Sequence, residues 1–313
     1  SFSTKKIKIC LGFLLNVLFS FIFTFKNSLS FEVNQVAEGL FVHFGEQEDS
    51  NDKNNGDIAN IGFIVGSKSI AVIDTGGTPE IGKRLLEKIK ETSSLPISHI
   101  IITHSHPDHF FGTEALTNDK VKIIGHEKLE RALITNFEFY KNLQFNLIKE
   151  ESIKKARLIL PNQTVKVGSV KTIDIGNREI EIRAWKSGHT DNDLSIFDKQ
   201  TKFFWSENIF VHRVPSIRAS AKGWKSNLDE ILKMDIDTII PGHGPLKKKN
   251  QAIQPMMNYF DRLIKEVRKF HKTGKTLKDA QNQAAPKNKE GWLLFDSYHS
   301  SNVTKTFTEL EWE

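Results

Sequence analysis

Thr103-His104-Ser105-His106-Pro107-Asp108-His109 places three imidazoles and one carboxylate within six consecutive positions, 104–109. The residues before it, Ser98 to Thr103 with Ile100-Ile101-Ile102 at their centre, read as a short buried strand that runs directly into His104. At the end of a strand, residues i and i+2 point the same way, so His104 and His106 can reach one metal ion together. Pro107 then turns the chain, and Asp108 and His109 can reach a point a few ångströms away. Neutral imidazole and carboxylate donors suit zinc, with iron and manganese also compatible.

Two further histidines sit in similar surroundings. His189, in Ser187-Gly188-His189-Thr190, follows a strand ending near Trp185, and His243, in Pro241-Gly242-His243-Gly244, follows the strand Thr238 to Ile240. Flanking glycines let the backbone turn sharply and the ring project. Five of the 11 histidines therefore stand at strand ends with turn chemistry. An ordinary capping or surface role accounts for a lone histidine but poorly for a set with this spacing. His43, His99, His126, His212, His271 and His299 lack ligand-like neighbours, although His212 stands where it could face a cleft.

Around these points the chain reads as grouped strands separated by helices. Two short strands lie between Phe31 and Gly45, a polar loop runs from Glu46 to Asp57, and Ile58–Val65 with Ser69–Ile73 makes a hairpin. Pro79 to Thr92 is an amphipathic helix with Ile81, Leu85, Leu86 and Ile89 on one face. A helix starts at Pro107 and runs to Leu116, Val121–Ile124 is a strand, and His126 to Lys149 is mostly helical. In that helix the aromatic stretch Phe137 to Phe145 is either core or an apolar wall over the metals. Lys166–Asp174 and Arg178–Trp185 alternate as strands, as do Leu194–Asp198 and Lys202–Trp205. Trp224–Met234 is a helix, and Gln251–Lys272 opens a C-terminal helical extension. The two halves, roughly 31–165 and 166–250, imply an α+β chain with two mixed sheets packed face to face and helices outside. Lys247-Lys248-Lys249 reads as a solvated basic loop, or as a group that attracts an anionic substrate near the cleft.

Residues 1–30 are a separate object. They carry Lys5, Lys6, Lys8 and Lys26 with no acid, so that without them the formal charge of the 313-residue chain falls from +6 to +2. The order of a charged start, an apolar run from Ile9 to Phe25 and small residues at Ser28 and Ser30 reads as a secretory signal cleaved after Ser30. The alternative is an uncleaved anchor helix, for which the run is short of the ~20 residues of a comfortable span. The only cysteine, Cys10, lies in this leader, so residues 31–313 contain no thiol and no disulfide framework or Cys-rich zinc module is available. The context implied is a bacterial periplasm, with no stable membrane anchor after cleavage. A charge of +2 without a basic domain argues against a nucleic-acid partner.

The His-x-His-x-Asp-His run, the Gly188-His189-Thr190 and the Pro241-Gly242-His243-Gly244 together resemble the metallo-β-lactamase-fold hydrolases, from about Val33 to Glu313. Gly188-His189-Thr190-Asp191-Asn192-Asp193-Leu194, Phe210-Val211-His212-Arg213-Val214-Pro215 and the terminal Glu309-Leu310-Glu311-Trp312-Glu313 look like the quinoprotein relay system zinc metallohydrolases within that superfamily. The resemblance implies a four-layer αβ/βα sandwich over residues 31–313. It implies a first metal on His104, His106 and His189 and a second on Asp108, His109 and His243. A bridging aspartate preceded by glycine is expected in Phe204-Trp205-Ser206-Glu207-Asn208, where Glu207 and Ser206 stand instead. That departure puts the second site in question, and Glu207 is read as a ligand in place of the aspartate. Asp74, in Asp74-Thr75-Gly76, looks like the carboxylate that accepts a ligand N–H in this fold, and is also a plausible strand-ending turn residue.

The activity so implied is hydrolysis of an ester, thioester, lactone or amide of a small-molecule substrate by a metal-activated hydroxide. Zinc would be the cofactor, one or two per chain, and Asp108 would orient the nucleophile. A link to a quinoprotein dehydrogenase system goes with the subgroup. Trp185, His212 and Arg213 are candidate substrate neighbours. Competing readings are a β-lactamase, a mononuclear iron dioxygenase and a non-catalytic periplasmic accessory factor. Flavodiiron chemistry fits less well, because His106 stands where that group's run carries Glu.

Overall fold

The computed structural model describes residues 30–284, 289 and 291–313, so the leader, Ser30 excepted, lies outside the described residues. Seven strands make the first sheet: β1 (Asn34–Ala37), β2 (Leu40–His43), β3 (Ile61–Val65), β4 (Ile70–Ile73), β5 (Ile97–Ile101), β6 (Lys122–His126) and β7 (Gln163–Val165), adjacent in that order. The β1–β4 pairs are antiparallel and the β4–β7 pairs parallel. Parallel neighbours require crossovers. They are supplied by α1 (Pro79–Thr92), by the short α2 (Pro107–Phe110) and α3 (Thr113–Leu116), and by α4 (Leu129–Ile148). The second sheet contains β8 (Val170–Asp174), β9 (Glu179–Ala184), β10 (Leu194–Asp198), β11 (Phe203–Phe210), β12 (Thr238–His243) and β13 (Lys247–Lys248) in the order β13-β12-β11-β10-β9-β8. Only its β11/β12 pair is parallel, joined through α5 (Ala221–Leu232). The chain closes with α6 (Lys249–Lys272), α7 (Leu277–Gln283) and α8 (Phe295–Leu310).

Side-chain alternation produces the layers. In β4, Ala71 and Ile73 face a central core while Ile70 and Val72 face the outer helices, and Ile101 and Ile100 of β5 divide the same way. The second sheet contributes Ile180, Ile182, Leu194, Ile196, Trp205 and Ile240 to the central core, whereas Phe204 and Ile239 face outward toward α5, α6 and α8. Three apolar clusters thus separate four layers: helices, sheet, sheet, helices. Helices α6 to α8 belong to this arrangement, since Met256, Phe260, Val267 and Val303 complete the outer core of the second sheet. Among the described residues no helix is long and apolar enough to cross a membrane.

Several boundaries differ from the sequence reading for physical reasons. The helix expected from Pro107 to Leu116 is broken, because Gly112 lies against Gly82 of α1 so tightly that a Cβ there would meet Thr75 O at 2.0 Å. The helix expected from His126 begins at Leu129, since His126 ends β6. Strand β11 runs on to Phe210, its pairing with β12 irregular between Ser206 and Phe210. Glu207 and Asn208 are polar and buried there, which broke the apolar pattern that marks a strand.

The acidic terminus has a structural task. Ser220 caps α5 by accepting from the Gly223 amide at 2.8 Å, and Glu309 of α8 adds a carboxylate there, accepting from the Ala221 amide at 2.7 Å and from Ser220 Oγ. Glu313 is held by Arg268 at 2.7 Å and by Lys222 at 2.5 Å.

Candidate metal centre

Five strands bring site residues to one edge of the sandwich. Asp74 follows β4, His104 and His106 follow β5, His189 follows β9, Glu207 lies in the irregular part of β11, and His243 ends β12. Asp108 and His109 occupy the one turn of α2. Ligand atoms of His104, His106 and His189 lie within 4.8 Å of one another, as do those of Asp108, His109 and His243 and those of His104, His109 and Glu207. The last group joins the other two, so Glu207 stands between them.

Most of the rings are oriented from behind. His109 Nδ1 donates to Asp74 Oδ2 at 2.7 Å, His189 Nδ1 to the Ser216 carbonyl at 2.8 Å and His243 Nδ1 to the Ile58 carbonyl at 2.7 Å. Each bond selects the tautomer that leaves Nε2 with a lone pair toward the site. His104 Nε2 and His106 Nδ1 face each other at 2.9 Å. Asp74 itself is fully buried with a left-handed backbone, φ 55°, and also accepts from the Thr103 amide and hydroxyl.

The charges do not balance within the protein. Burial pushes the imidazoles of His104, His189 and His243 well below their ordinary pKa, and that of His106 to about 3. These four remain neutral donors. Burial also drives the Glu207 carboxyl well up, and Asp74 and Asp108 add to the rise against the pull of His109. For His109, burial opposes protonation, but Asp108, Glu207 and Asp74 together outweigh it and raise the imidazole. Asp108 is held low by His109 and His243 despite its burial. Three carboxyl groups thus surround one imidazole.

His109 Nε2 lies 3.0 Å from Asp108 and 3.4 Å from Glu207 without a hydrogen bond to either, and both Glu207 oxygens lack a partner. Unpartnered buried carboxylate is costly unless a cation or proton compensates it. The donor set and these orphaned atoms fit a pair of divalent cations. The extra methylene of Glu207 is accommodated by Gly242, where a Cβ would meet Glu207 Oε2 at 1.8 Å.

The centre opens into a cleft of about 830 Å³. Arg213 reaches it, buried: one Nη donates to Tyr298 at 3.1 Å, and Tyr298 in turn donates to Asp49. The Arg213 backbone is fixed by the C-terminal segment, as Leu293 N donates to His212 O at 2.7 Å and Val214 N to Leu293 O at 3.1 Å. The other two substrate candidates are corrected. Trp185 follows the inward Ala184, so its ring falls on the outer face, where it is buried and donates to Ser195 Oγ at 2.8 Å. His212 has φ 66° and turns away into a separate cavity of about 510 Å³ with Lys247 and Trp292. The Phe137–Phe145 stretch divides: Phe137 is core, while Phe139, Tyr140 and Leu143 line the cleft. Asp49, Tyr298 and Arg218 were not found by sequence reasoning, because no motif marks residues brought in from loop and terminus.

Comparison with known proteins agrees with this geometry. A family model described as the metallo-beta-lactamase superfamily matches residues 54–243. A metallo-beta-lactamase type 2 of Bacillus cereus is 22% identical over 186 residues, covering 57% of this chain and 64% of that protein. Among solved structures, a double mutant of the sec-alkyl sulfatase PisA1 superposes with a TM-score of 0.70 at 18% identity, over 90% of this chain and 50% of that one. A metallo-beta-lactamase from Pontibacter korlensis gives 0.59 at 18% identity, over 74% and 98%. This chain therefore spans about two-thirds of the Bacillus relative and half of the sulfatase.

Proposed function

The chain belongs to the metallo-β-lactamase superfamily, and on that footing we propose that it is a metal-dependent hydrolase of a small-molecule ester, thioester, lactone, amide or sulfate ester. The observation that carries the reading is the group of five imidazoles and two carboxylates around the unpartnered atoms of Glu207 and His109. His104, His106 and His189 would hold one ion, Asp108, His109 and His243 a second, with Glu207 between them. Zinc in such a site supplies Lewis acidity and a water ionised near neutral pH.

The protein's own groups do the rest. Asp108 faces the cleft and stays ionised, so it accepts a hydrogen of the attacking water and fixes its orientation. Asp74, Ser216 O and Ile58 O hold the histidine rings. Arg213, positioned by Tyr298, presents a guanidinium to the substrate beside His243. The composition of residues 1–30 supports export to a periplasm, and the motifs around His189 and Arg213 support a link to a quinoprotein dehydrogenase system; both are part of the proposal.

The test is metal analysis of the purified chain together with a hydrolysis panel of those bond types. Two zinc ions per chain, with turnover abolished by a chelator and restored by zinc, is the expected result. Bound iron with oxygen consumption would replace the hydrolase with an oxygenase. Full zinc occupancy with no turnover anywhere on the panel would favour the accessory role.

A further inference from the structure

The cleft has two chemically different walls. One is the exposed side of α4, where Phe139, Leu143 and Leu147 follow one another at i, i+4 and i+8 and are 64%, 37% and 43% exposed. Residues at this spacing form a single stripe along the helix, about 12 Å long at 1.5 Å per residue. Large side chains aligned so along a cleft that leads to a reactive centre are unusual on a protein surface and mark a contact with apolar matter. Tyr140, half-buried beside Phe139, also lines the cleft.

The other wall is cationic. Arg218 is exposed at the cleft, its backbone amide donating to His189 O at 3.0 Å, and its guanidinium makes no hydrogen bond or ion pair among the described residues. Arg213 is buried on the His243 side with its Nε unpartnered. The cleft acids are committed elsewhere: Asp49 to Tyr298 and Arg213, Asp191 to Arg131 at 2.9 Å, and Asp108 to His109 and His243. Two guanidiniums therefore flank the histidine cluster, one free and one with a donor to spare.

We propose that the substrate is an anionic amphiphile, its apolar chain laid along Phe139, Leu143 and Leu147 and its negative group held at the histidine cluster by Arg213 and Arg218. The proposal rests on the reading of the cleft as a hydrolase active site and specifies its substrate class. Continuity of the stripe with the candidate metal centre sets the direction of the chain, and charge complementarity sets which end is reactive. Guanidinium suits a sulfate, phosphate or carboxylate group by its fork of donors.

Binding of hydrolysis-resistant probes tests this without turnover. Propanesulfonate, octanesulfonate and 1-octanol are titrated calorimetrically into the zinc-loaded protein, below micelle formation. Octanesulfonate is expected to bind at least ~10-fold tighter than propanesulfonate, through the added methylenes, and at least ~10-fold tighter than 1-octanol, through charge-assisted hydrogen bonds. Phe139→Ser with Leu143→Ser should remove the chain-length dependence, and Arg218→Gln should weaken both sulfonates but not the alcohol. Both sites are exposed, so the variants fold. Equal affinity for the two sulfonates, or chain-length dependence unchanged in the serine variant, would overturn the proposal. So would concentration-dependent dimerisation lost in Leu143→Ser without chain-length dependence, which would assign the stripe to a second copy of the chain. Tight octanesulfonate binding with no hydrolysis of any ester would keep the cleft as a binding site for an anionic amphiphile and sink the hydrolase reading, and with it the word substrate; the reverse pattern sinks this inference alone.

Discussion

Replacing Asp74 by Asn changes one oxygen to an amide nitrogen at the back of the centre. The left-handed backbone at this position, φ 55°, is one that Asn adopts readily. The remaining side-chain oxygen can still accept the Thr103 amide now held at 2.8 Å. The new NH₂ then faces His109 Nδ1 where the carboxylate stood 2.7 Å away. Two N–H groups cannot face each other, so the imidazole moves its hydrogen to Nε2 and loses the lone pair directed at Asp108 and Glu207. Loss of the charge-assisted bond is expected to cost about 1–3 kcal/mol of metal-free stability. Affinity for the second ion is expected to fall by about 10–100-fold, the usual effect of losing the group that orients a metal-ligating histidine. A chromophoric chelator competition measures the affinity, and thermal unfolding in chelator measures the stability. Thr103→Val serves as the control, since it removes a different bond to Asp74 and leaves the His109 contact in place. The same hydroxyl also contacts His104 Nδ1 at 3.1 Å, so this variant should lower stability while retaining affinity for the second ion. Wild-type affinity in Asp74→Asn, or the same loss in both variants, would refute the tautomer argument.

Three other outcomes follow from the same structure. Glu207 is raised toward its neutral form by burial, so Glu207→Gln should leave metal-free stability within ~1 kcal/mol of wild type while lowering metal content by one ion per chain; two retained ions would show that Glu207 is not a ligand. Glu309→Ala removes the carboxylate from the N-terminus of α5 while leaving the Ser220 cap, and should destabilise the protein by about 1 kcal/mol, read as a lower melting temperature; an unchanged melting curve would mean that the Ala221 contact contributes nothing. His99 is lowered to about 4, mainly by burial with Lys122 and Lys171 adding repulsion. The unfolded chain binds the proton first as pH falls below ~6.5, so stability contributed by this group is intact above that pH and is lost progressively toward pH 4. Denaturant titrations of wild type and His99→Gln should diverge only below that upper limit, with the variant less pH-sensitive; parallel curves from pH 7 to 4 would remove His99 from the account.

Much of the centre was legible from residue order. His104, His106, Asp108 and His109 fall within six positions of the chain, and the glycines beside His189 and His243 announce sharp turns at strand ends. Alternating Ile and Val residues gave two groups of strands, and a helix such as Pro79–Thr92 has its start fixed by the Thr78 side chain, which accepts from the Ile81 amide. Elements that depend on distant partners were harder to see. The three-residue β7 is too short to show alternation, and the part of β11 beyond Trp205 was hidden because Glu207 and Asn208 are polar yet buried.

The sequence by itself determined which donor types the centre uses and which strand ends carry them, because ligand identity and turn chemistry are local properties of the chain. It also exposed the replacement of the expected aspartate by Glu207. Only the tertiary structure decided that Gly242 leaves room for that longer side chain, that Tyr298 of the last helix and Asp49 of an early loop hold Arg213, and that Trp185 and His212 face elsewhere. Those outcomes depend on which face of a strand packs inward and on contacts between residues up to 249 positions apart, and neither is encoded in any short stretch of residues.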